Sequence, residues 1–416
     1  MLRKLVLSSP VLLVLTLSLV VSVEADSTMW SQTYGGTKHD EAHSLVVTSD
    51  GGYALSGNTL SFGAGSSDFW LVKTDEFGNM EWNQTYGYSD WEWCASLVAT
   101  SDGGYALAGL TQSVDSGDAL LVKTDSFGNM EWNRTYGGTG WQEARGLVET
   151  FDGGYALVGS TDSLGAGQSD WWLVKTDAFG NVEWNQTFGG TRNDYVYSMV
   201  QTSDGGYALA GLMNSSDLIS NPGGDFWLVK TDGAGNMEWN KTYGETGDEI
   251  AMSLVETSDG GYALAGEKGN DIWLIKTDAV GNMEWNQTYS GTGYALIETS
   301  DGGYAIAGTI HSSSTGSDCW FVKTDAYGNM EWNKTYEGPQ TDKAWSIVQT
   351  SDGGYAIAGE TDLPSTVPSD FWLIKTDEYG IVPEYSSWLL PTLLLTATLV
   401  IVIYKKKLLK PRSQVC

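Results

Sequence analysis

The sequence predicts an all-β protein, a seven-bladed β-propeller of four-stranded blades, on the strength of two repeated motifs. Asp-Gly-Gly-Tyr occurs seven times at intervals of about 50 residues, and Lys-Thr-Asp follows every copy. A repeat of this length is typical of small units that bury their apolar faces only against one another. The copies of the first motif begin at Asp50, Asp102, Asp152, Asp204, Asp259, Asp301 and Asp352.

Each repeat reads as four short strands joined by tight turns. In the second repeat, residues 96–100, 105–109, 119–124 and 130–136 are rich in apolar and β-branched side chains. Asp-Gly-Gly joins the first strand to the second, and Asp-x-x-Gly joins the third to the fourth, because glycine readily adopts the positive φ that such turns need. Residues 27–384 show no helical periodicity.

The ends of the repeat array predict a closed ring. Six copies are followed by a fourth strand that contains a tryptophan, whereas the seventh is followed by Ile381, Val382 and Pro383. The missing strand occurs at the other end of the chain, around Trp30. We predict that it pairs with the strand around Trp372, since this pairing removes an unpaired edge. The tryptophans of this strand are Trp30, Trp82, Trp132, Trp184, Trp239, Trp285 and Trp332.

The segment Asp177-x-x-Gly180-Asn181-x-x-Trp184 resembles the tryptophan-docking motif of quinoprotein-type β-propellers. It is also similar to the repeats of many secreted bacterial and archaeal proteins, and the resemblance covers roughly residues 29–380. It implies that the seven tryptophans pack on neighbouring blades. The chain differs from quinoprotein dehydrogenases, which usually have eight blades and often vicinal cysteines. We therefore expect no cofactor. We also predict no metal site, since we favour a role in local turns for the acidic residues of the blade connections.

Both terminal segments predict a cell-surface protein that crosses the membrane once. Residues 1–25 have the basic start, apolar stretch and cleavage site of a signal peptide. The repeats, residues 26–384, form the expected ectodomain, which we take to be monomeric. Residues 385–404 contain an apolar run long enough for a short membrane helix, and the tail 405–416 is basic, which places it in the cytoplasm. The segment before the helix resembles the C-terminal anchor of archaeal surface proteins.

The strongly acidic charge of the chain argues against a nucleic-acid partner. The chain has 52 acidic and 22 basic residues and a net charge of −30, so a nucleic-acid partner is not expected.

The three cysteines include Cys94 and Cys319, which fall in the second and sixth blades, too far apart to form a disulfide. We predict that both are free thiols.

Candidate binding residues lie in the connections between blades, which vary between repeats while the two turns do not. Five of seven equivalent positions are acidic, and on a closed ring they would surround the channel mouth. They either form an oxygen-rich cation site or accept hydrogen bonds from backbone N–H groups of their own turns. These residues are Asp40, Glu92, Asp194, Glu249 and Asp342.

Aromatic side chains in the same connections suit sugar binding, because rings stack on the apolar faces of sugars, but packing between blades explains them equally. They include Trp91, Trp93, Trp141, Tyr195, Tyr197 and Trp345. No catalytic motif occurs, and His39, His43 and His311 lack metal-ligand spacing. We therefore expect a non-catalytic surface protein that binds a protein, glycan or matrix partner. The alternative is an extracellular hydrolase or lyase that uses carboxylates at the channel mouth.

Glycosylation sequons recur in the fourth strand. This strand is the outermost in a blade, so the asparagines would ring the rim of the propeller. The other interpretation is that Asn and Thr merely suit an exposed edge strand. The sequon asparagines are Asn83, Asn133, Asn185, Asn214, Asn240, Asn286 and Asn333.

Overall fold

The computed structural model describes residues 29–382, apart from 114–115, 215–222, 245–246, 313–315, 339 and 363–368. These residues form twenty-eight strands in seven four-stranded antiparallel sheets. In chain order the strands are β1 (Trp30–Tyr34), β2 (Asp40–Val47), β3 (Tyr53–Thr59), β4 (Asp68–Thr74), β5 (Met80–Tyr86), β6 (Trp91–Ala99), β7 (Tyr105–Ser113), β8 (Ser116–Thr124), β9 (Met130–Tyr136), β10 (Gln142–Glu149), β11 (Tyr155–Thr161), β12 (Asp170–Thr176), β13 (Val182–Phe188), β14 (Tyr195–Gln201), β15 (Tyr207–Met213), β16 (Asp225–Thr231), β17 (Met237–Tyr243), β18 (Glu249–Glu256), β19 (Tyr262–Lys268), β20 (Asp271–Thr277), β21 (Met283–Ser290), β22 (Thr292–Glu298), β23 (Tyr304–Ser312), β24 (Gly316–Thr324), β25 (Met330–Tyr336), β26 (Asp342–Gln349), β27 (Tyr355–Thr361) and β28 (Asp370–Thr376).

The seven sheets are the blades of a β-propeller, as the sequence predicts. Blades 1 to 6 each contain four consecutive strands, beginning with β2 to β5 in blade 1. Neighbouring first strands, such as β2 and β6 or β2 and β26, contact one another all the way round the ring. The first strands therefore surround the central channel, and the fourth strands lie at the rim.

Blade 7 is completed by the N-terminal strand. Its order is β1, β28, β27, β26, and Trp30 pairs with Lys375 while Thr33 pairs with Trp372. The predicted closure is thus confirmed. Cys94 and Cys319 are buried free thiols, as predicted. Burial raises the pKa of the Cys94 thiol to about 12, so it is unreactive at neutral pH.

The hydrophobic core lies between blades rather than within one. In blade 1, for example, Phe69 and Leu71 pack with Leu97, Leu107 and Leu120 of blade 2. The seven tryptophans of the fourth strands also cross these junctions, because the ring of each lies against the glycine of the Asp-x-x-Gly turn in the next blade. Each blade therefore buries its apolar faces only with the help of its neighbours.

The terminal segments for which the sequence predicts a signal peptide and a membrane anchor lie outside the described residues. The expected signal peptide (1–25), the apolar run from Trp388 to Tyr404 and the basic tail (405–416) all fall there. Within the described part of the chain, no helix has the length and apolar character needed to span a membrane.

Candidate functional site

A β-bulge in every first strand aims one side chain into the central channel. In blade 1, Ala42 pairs with Gly57 and Ser44 pairs with Ser56, so His43 is left without a partner in the ladder. The same shift recurs in all seven first strands. A bulge re-aims the extra side chain without disturbing the rest of the strand. The seven bulge residues are His43, Ala95, Arg145, Tyr197, Met252, Tyr294 and Trp345.

These seven residues line one cavity in the middle of the ring. Its volume is about 520 Å³, and its other lining residues are Glu41, Trp93 and Glu267. A cavity of this size accommodates a ligand of several rings or a short oligosaccharide. The flanking Ser and Leu positions of the first strands are largely shared between repeats, whereas the bulge residue differs in almost every blade. The first strands are therefore alike in sequence, whereas the side chains that line the cavity differ from blade to blade.

Aromatic rings form a continuous belt along part of this wall. The rings of Tyr294 and Trp345 lie 4.3 Å apart, and His43 sits between Trp345 at 5.7 Å and Trp93 at 5.6 Å. The guanidinium of Arg145 then lies 5.2 Å from the Trp93 ring and 5.0 Å from the ring of Tyr197. Cation–π contacts of this kind hold the arginine against the wall.

Hydrogen bonds and ion pairs fix the carboxylate of Glu41 at the cavity rim. Oε1 accepts a hydrogen bond from Asn58 Nδ2 at 2.9 Å and lies 3.3 Å from Nε2 of His43, while Oε2 lies 3.3 Å from Nε2 of His39. Burial opposes ionisation, but the hydrogen bonds from the histidines outweigh it and hold the pKa of Glu41 well below its usual range. Glu41 is therefore an anion at neutral pH.

The pKa of Glu267 is shifted in the opposite direction from that of Glu41. Burial raises the pKa of Glu267 above its ordinary value. The hydrogen bond that His39 donates to Glu41 raises the pKa of His39. Burial acts to lower the pKa of His43, but its contact with Glu41 outweighs this and raises it. The cavity thus contains two carboxylates whose pKa values are displaced in opposite directions.

The five acids of the blade connections do not line this cavity. Asp40, Glu92, Asp194, Glu249 and Asp342 are all buried at the junctions between blades. Asp194 accepts hydrogen bonds from the backbone N–H groups of Gly190 at 2.6 Å and Asn214 at 2.8 Å. Asp40 accepts from the N–H of Gly36 at 2.9 Å and from the Thr59 hydroxyl. These contacts are the ones expected if the acids accept hydrogen bonds from nearby groups, which is the alternative to a cation site.

Five of the six candidate aromatic residues divide into two groups, and the sixth, Tyr195, is half-buried in β14 outside the cavity lining. Trp93, Tyr197 and Trp345 line the cavity. Trp91 and Trp141 are half-buried instead, and each forms an isolated bridge to the preceding blade, Trp91 with Ser67 and Trp141 with Gly117. The structure therefore brings Trp93 together with the bulge residues Tyr197 and Trp345 but leaves Trp91 and Trp141 at blade junctions.

The sequon asparagines of the fourth strands lie at the rim, and Asn83, Asn185, Asn240, Asn286 and Asn333 are exposed. In four blades the side-chain oxygen of this asparagine accepts a hydrogen bond from the indole of the third-strand tryptophan, at 3.1 Å for Asn83 and 3.2 Å for Asn240. These asparagines consequently have a structural role whether or not they carry a glycan. Asn133 and Asn214 are half-buried.

Most residues of the cavity wall were not predicted from the sequence. His43, Arg145, Met252, Glu267 and Tyr294 were not among the candidates. One feature of the sequence could have identified the bulge residues among these. The position immediately before the Ser that most first strands share varies between repeats, although the strands are otherwise similar. Only the bulge explains why that position, rather than an alternating one, faces the channel.

Comparisons with solved structures agree on the fold. The chain is similar to a catalytically inactive variant of virginiamycin B lyase from Staphylococcus aureus, solved with quinupristin (TM-score 0.54, 11% identity, covering 83% of this chain and 99% of that chain). It is also similar to the Pan2 WD40 domain of Neurospora crassa (TM-score 0.52, 9% identity, 86% and 99% covered). A third is Sqt1 of Chaetomium thermophilum (TM-score 0.51, 12% identity, 84% and 98% covered).

At these identities the likeness concerns the fold alone. The fold is a seven-bladed β-propeller. No protein-family model and no curated protein sequence matches the chain. The three solved structures include an enzyme and a WD40 domain, so the shared architecture does not choose between catalysis and binding.

Proposed function

We propose that this protein is a non-catalytic cell-surface receptor that binds a glycan through its central cavity. The observation that carries the proposal is the belt of Tyr294, Trp345, His43 and Trp93, which presents aromatic faces beside charged groups. Aromatic faces accept the apolar side of a sugar ring, and Glu41 and Arg145 offer an acceptor and a donor for its hydroxyl groups. A protein side chain inserted into the cavity from a partner is the other ligand of this binding class.

The terminal segments of the sequence support a position at the cell surface. A signal peptide, an apolar run and a basic tail are the pattern expected of repeats that lie outside the cell. The resemblance to secreted archaeal and bacterial repeats, and the sequons at the propeller rim, agree with this position. Protease treatment of intact cells should therefore remove the propeller and leave the basic tail.

One observation favours the alternative, a lyase or hydrolase that acts on polysaccharide. The pKa of Glu267 is raised and that of Glu41 is lowered within the same cavity. A carboxyl group that retains its proton more readily, in the same cavity as one that is ionised, is what general acid–base chemistry requires. The same cavity thus suits either the binding of a sugar without reaction or the cleavage of a bound sugar.

The binding proposal is tested with the purified full-length protein on a glycan array, followed by calorimetry with the best oligosaccharide. Tyr294→Ala with Trp345→Ala should weaken binding by at least tenfold, since two stacking faces are lost. Phe127→Ala is the matched control, because Phe127 is an aromatic residue that is 69% exposed in a turn outside the cavity. Equal affinity of both variants would contradict the proposal. Release of shortened product that Glu267→Gln abolishes would establish the enzymatic alternative instead.

A further inference from the structure

Three side chains with metal-ligand atoms meet where blade 7 adjoins blade 1, beside the central cavity. His39 immediately precedes β2, Glu41 lies in β2 and Glu360 lies in β27. Nε2 of His39 is 3.3 Å from Oε2 of Glu41 and 3.7 Å from Oε2 of Glu360. The three ligand atoms all lie within 4.8 Å of one another. We propose that His39, Glu41 and Glu360 bind a zinc ion.

The separations of His39 from the two carboxylates are close to those of tetrahedral coordination. Zinc binds His nitrogen and carboxylate oxygen at about 2.0–2.2 Å, and two ligands of a tetrahedron at that radius lie about 3.3 Å apart. The separation of His39 from Glu41 is 3.3 Å and that of His39 from Glu360 is 3.7 Å. The third separation, between the carboxylate oxygens of Glu41 and Glu360, is at most 4.8 Å.

Neighbouring groups already hold both carboxylates in a ligating orientation. Glu360 is almost fully buried, and its Oε1 accepts a hydrogen bond from Nζ of Lys343 at 2.7 Å. Oε1 of Glu41 accepts from Asn58 at 2.9 Å. In each carboxylate one oxygen is engaged, and the other is directed at His39. Metal-binding carboxylates are commonly oriented by hydrogen bonds of this kind.

His43 supports the site from the cavity side. Its Nδ1 lies 2.7 Å from the backbone carbonyl oxygen of Cys94, and its Nε2 lies 3.3 Å from Oε1 of Glu41. The ring therefore links Glu41 to blade 2. We assign His43 as a positioning residue rather than a ligand, because it approaches the oxygen of Glu41 that faces away from His39.

Comparison of the repeats shows that the fold does not require these residues. The positions equivalent to Glu360 in blades 1 to 6 hold Asn58, Leu110, Ser160, Leu212, Glu267 and Thr309. The positions equivalent to His39 hold Trp91, Trp141, Asn193, Asp248, Ser290 and Thr341. Among the described junctions, one histidine and two carboxylates meet only between blades 7 and 1. Two of the three histidines of the whole chain, His39 and His43, lie at this junction.

The donor set favours zinc over the hard cations. Calcium and magnesium prefer six or more oxygen ligands, whereas imidazole with carboxylates suits zinc. Lys343 neutralises one of the two carboxylates, which weakens the site for any ion held by charge alone. His39 is 38% exposed, so the fourth position is open to water or to a ligand atom in the cavity. The metal site shares Glu41 with the proposed glycan site, but it rests on different observations, the positions of His39 and Glu360.

Metal content of the full-length protein tests the proposal. After chelator treatment and incubation with zinc chloride, elemental analysis should find one zinc per chain, with a raised melting temperature. Cobalt substitution should produce the visible absorption of a four-coordinate site. His39→Gln and Glu360→Gln should each lower zinc affinity by about 100-fold or more, since even the loss of a supporting residue costs 10–100-fold. His311→Gln, at the only other histidine of the sequence, should bind zinc like the wild type.

Three outcomes would overturn the proposal. One is absence of zinc from the wild-type protein, the second is equal zinc content in His39→Gln and wild type, and the third is displacement of zinc by calcium at equal concentration. Circular dichroism of His39→Gln checks that the fold survives, as expected for a partly exposed side chain. Loss of glycan binding in the double variant of Tyr294 and Trp345 should leave zinc content unchanged, so the two proposals fail separately.

Discussion

A buried lysine explains at the residue scale why Lys-Thr-Asp varies so little. Nζ of Lys73 donates hydrogen bonds to Asp50 at 2.8 Å, to Glu81 at 2.7 Å and to the carbonyl oxygen of Thr74 at 2.9 Å. Charge-assisted bonds of this kind are among the strongest in proteins. The lysine thereby ties the Asp-Gly-Gly turn of a blade to its fourth strand. The same arrangement recurs in blades 1 to 6, and in blade 7 Lys375 retains the bond to Asp352.

Two glycines of blade 4 have similar backbone conformations but different surroundings. Gly205 in the first turn has φ of 87°, and a Cβ there would meet no atom within 4 Å. Gly235 in the third turn has φ of 80°, and a Cβ there would lie 2.5 Å from the Trp184 ring of blade 3. The pair therefore separates the cost of the backbone conformation from the cost of disturbing a contact between blades.

We expect Gly235→Ala to destabilise the protein more than Gly205→Ala. The left-handed conformation alone should cost about 1–2 kcal/mol in each variant. The clash of Gly235→Ala with Trp184 should add roughly 1–3 kcal/mol, the usual cost of overpacking. Urea unfolding of both variants measures the difference. Equal losses would mean that the tryptophan contact contributes nothing to stability.

At the scale of the element, β1 joins the two ends of the chain. It completes blade 7 through its ladder with β28, and it also reaches blade 1, because the hydroxyl of Tyr34 donates a hydrogen bond to the carbonyl oxygen of Gly78 at 2.7 Å. Trp30 and Tyr34 are both buried. A single short strand thus covers an edge and holds two blades together.

Removal of residues 26–36 should lower the melting temperature of the full-length protein sharply, because it opens the ring and exposes the edge of β28. A synthetic peptide of residues 26–36, added in excess, should restore much of the loss by binding only the folded ring. The same peptide with Trp30→Ala should not, and deletion of residues 26–28 alone should have little effect. A melting temperature unchanged by the longer deletion would contradict closure through β1.

Particular elements show how far the sequence could predict this structure. The blades, the strand order and the closing strand follow from repeat spacing and from the missing tryptophan strand after Gly380. The cavity wall does not, because a bulge between Ala42 and Ser44 changes which side chain faces the channel. The cluster of His39, Glu41 and Glu360 joins residues more than 300 positions apart, and only ring closure brings them together.

At the scale of the whole molecule, acidic residues outnumber basic ones by 52 to 22. Two classes of carboxyl group differ in the direction in which the fold shifts their pKa. The turn aspartates that accept hydrogen bonds from the buried lysines have a depressed pKa of about 2 despite partial burial, as at Asp50 and Asp204. At some blade junctions the pKa of a buried carboxyl is raised instead. Burial, with the nearby charges of Asp318 and Asp362, raises the pKa of Asp342 to about 6, and burial beside Asp40 does the same for Asp370. Acidification therefore acts on the two classes in opposite directions.

We expect the free energy of unfolding to rise as the pH falls from 7.5 to about 4.5, and to fall below that. A carboxyl whose folded pKa is raised binds its proton more tightly in the native state, so its contribution is fully present below the unfolded pKa of about 3.9 and is lost as the pH rises through 6. For Asp342 and Asp370 this contribution is up to about 3 kcal/mol each. The turn aspartates behave oppositely, and their stabilisation is lost as the pH falls from about 4 towards 2.

Urea unfolding across this pH range, with a chelator present, measures the effect. Replacing Asp342 and Asp370 together by Asn should reduce the rise between pH 7.5 and 4.5, because a neutral amide at each junction no longer titrates. Part of the rise should remain, since the pKa values of His39, His43 and Glu267 are also raised. Asp162→Asn is the matched control, since Asp162 is exposed, and it should retain the wild-type profile. If the double variant also retained the full rise, the gain would not come from Asp342 and Asp370 but from the other groups with a raised pKa or from general relief of the −30 net charge.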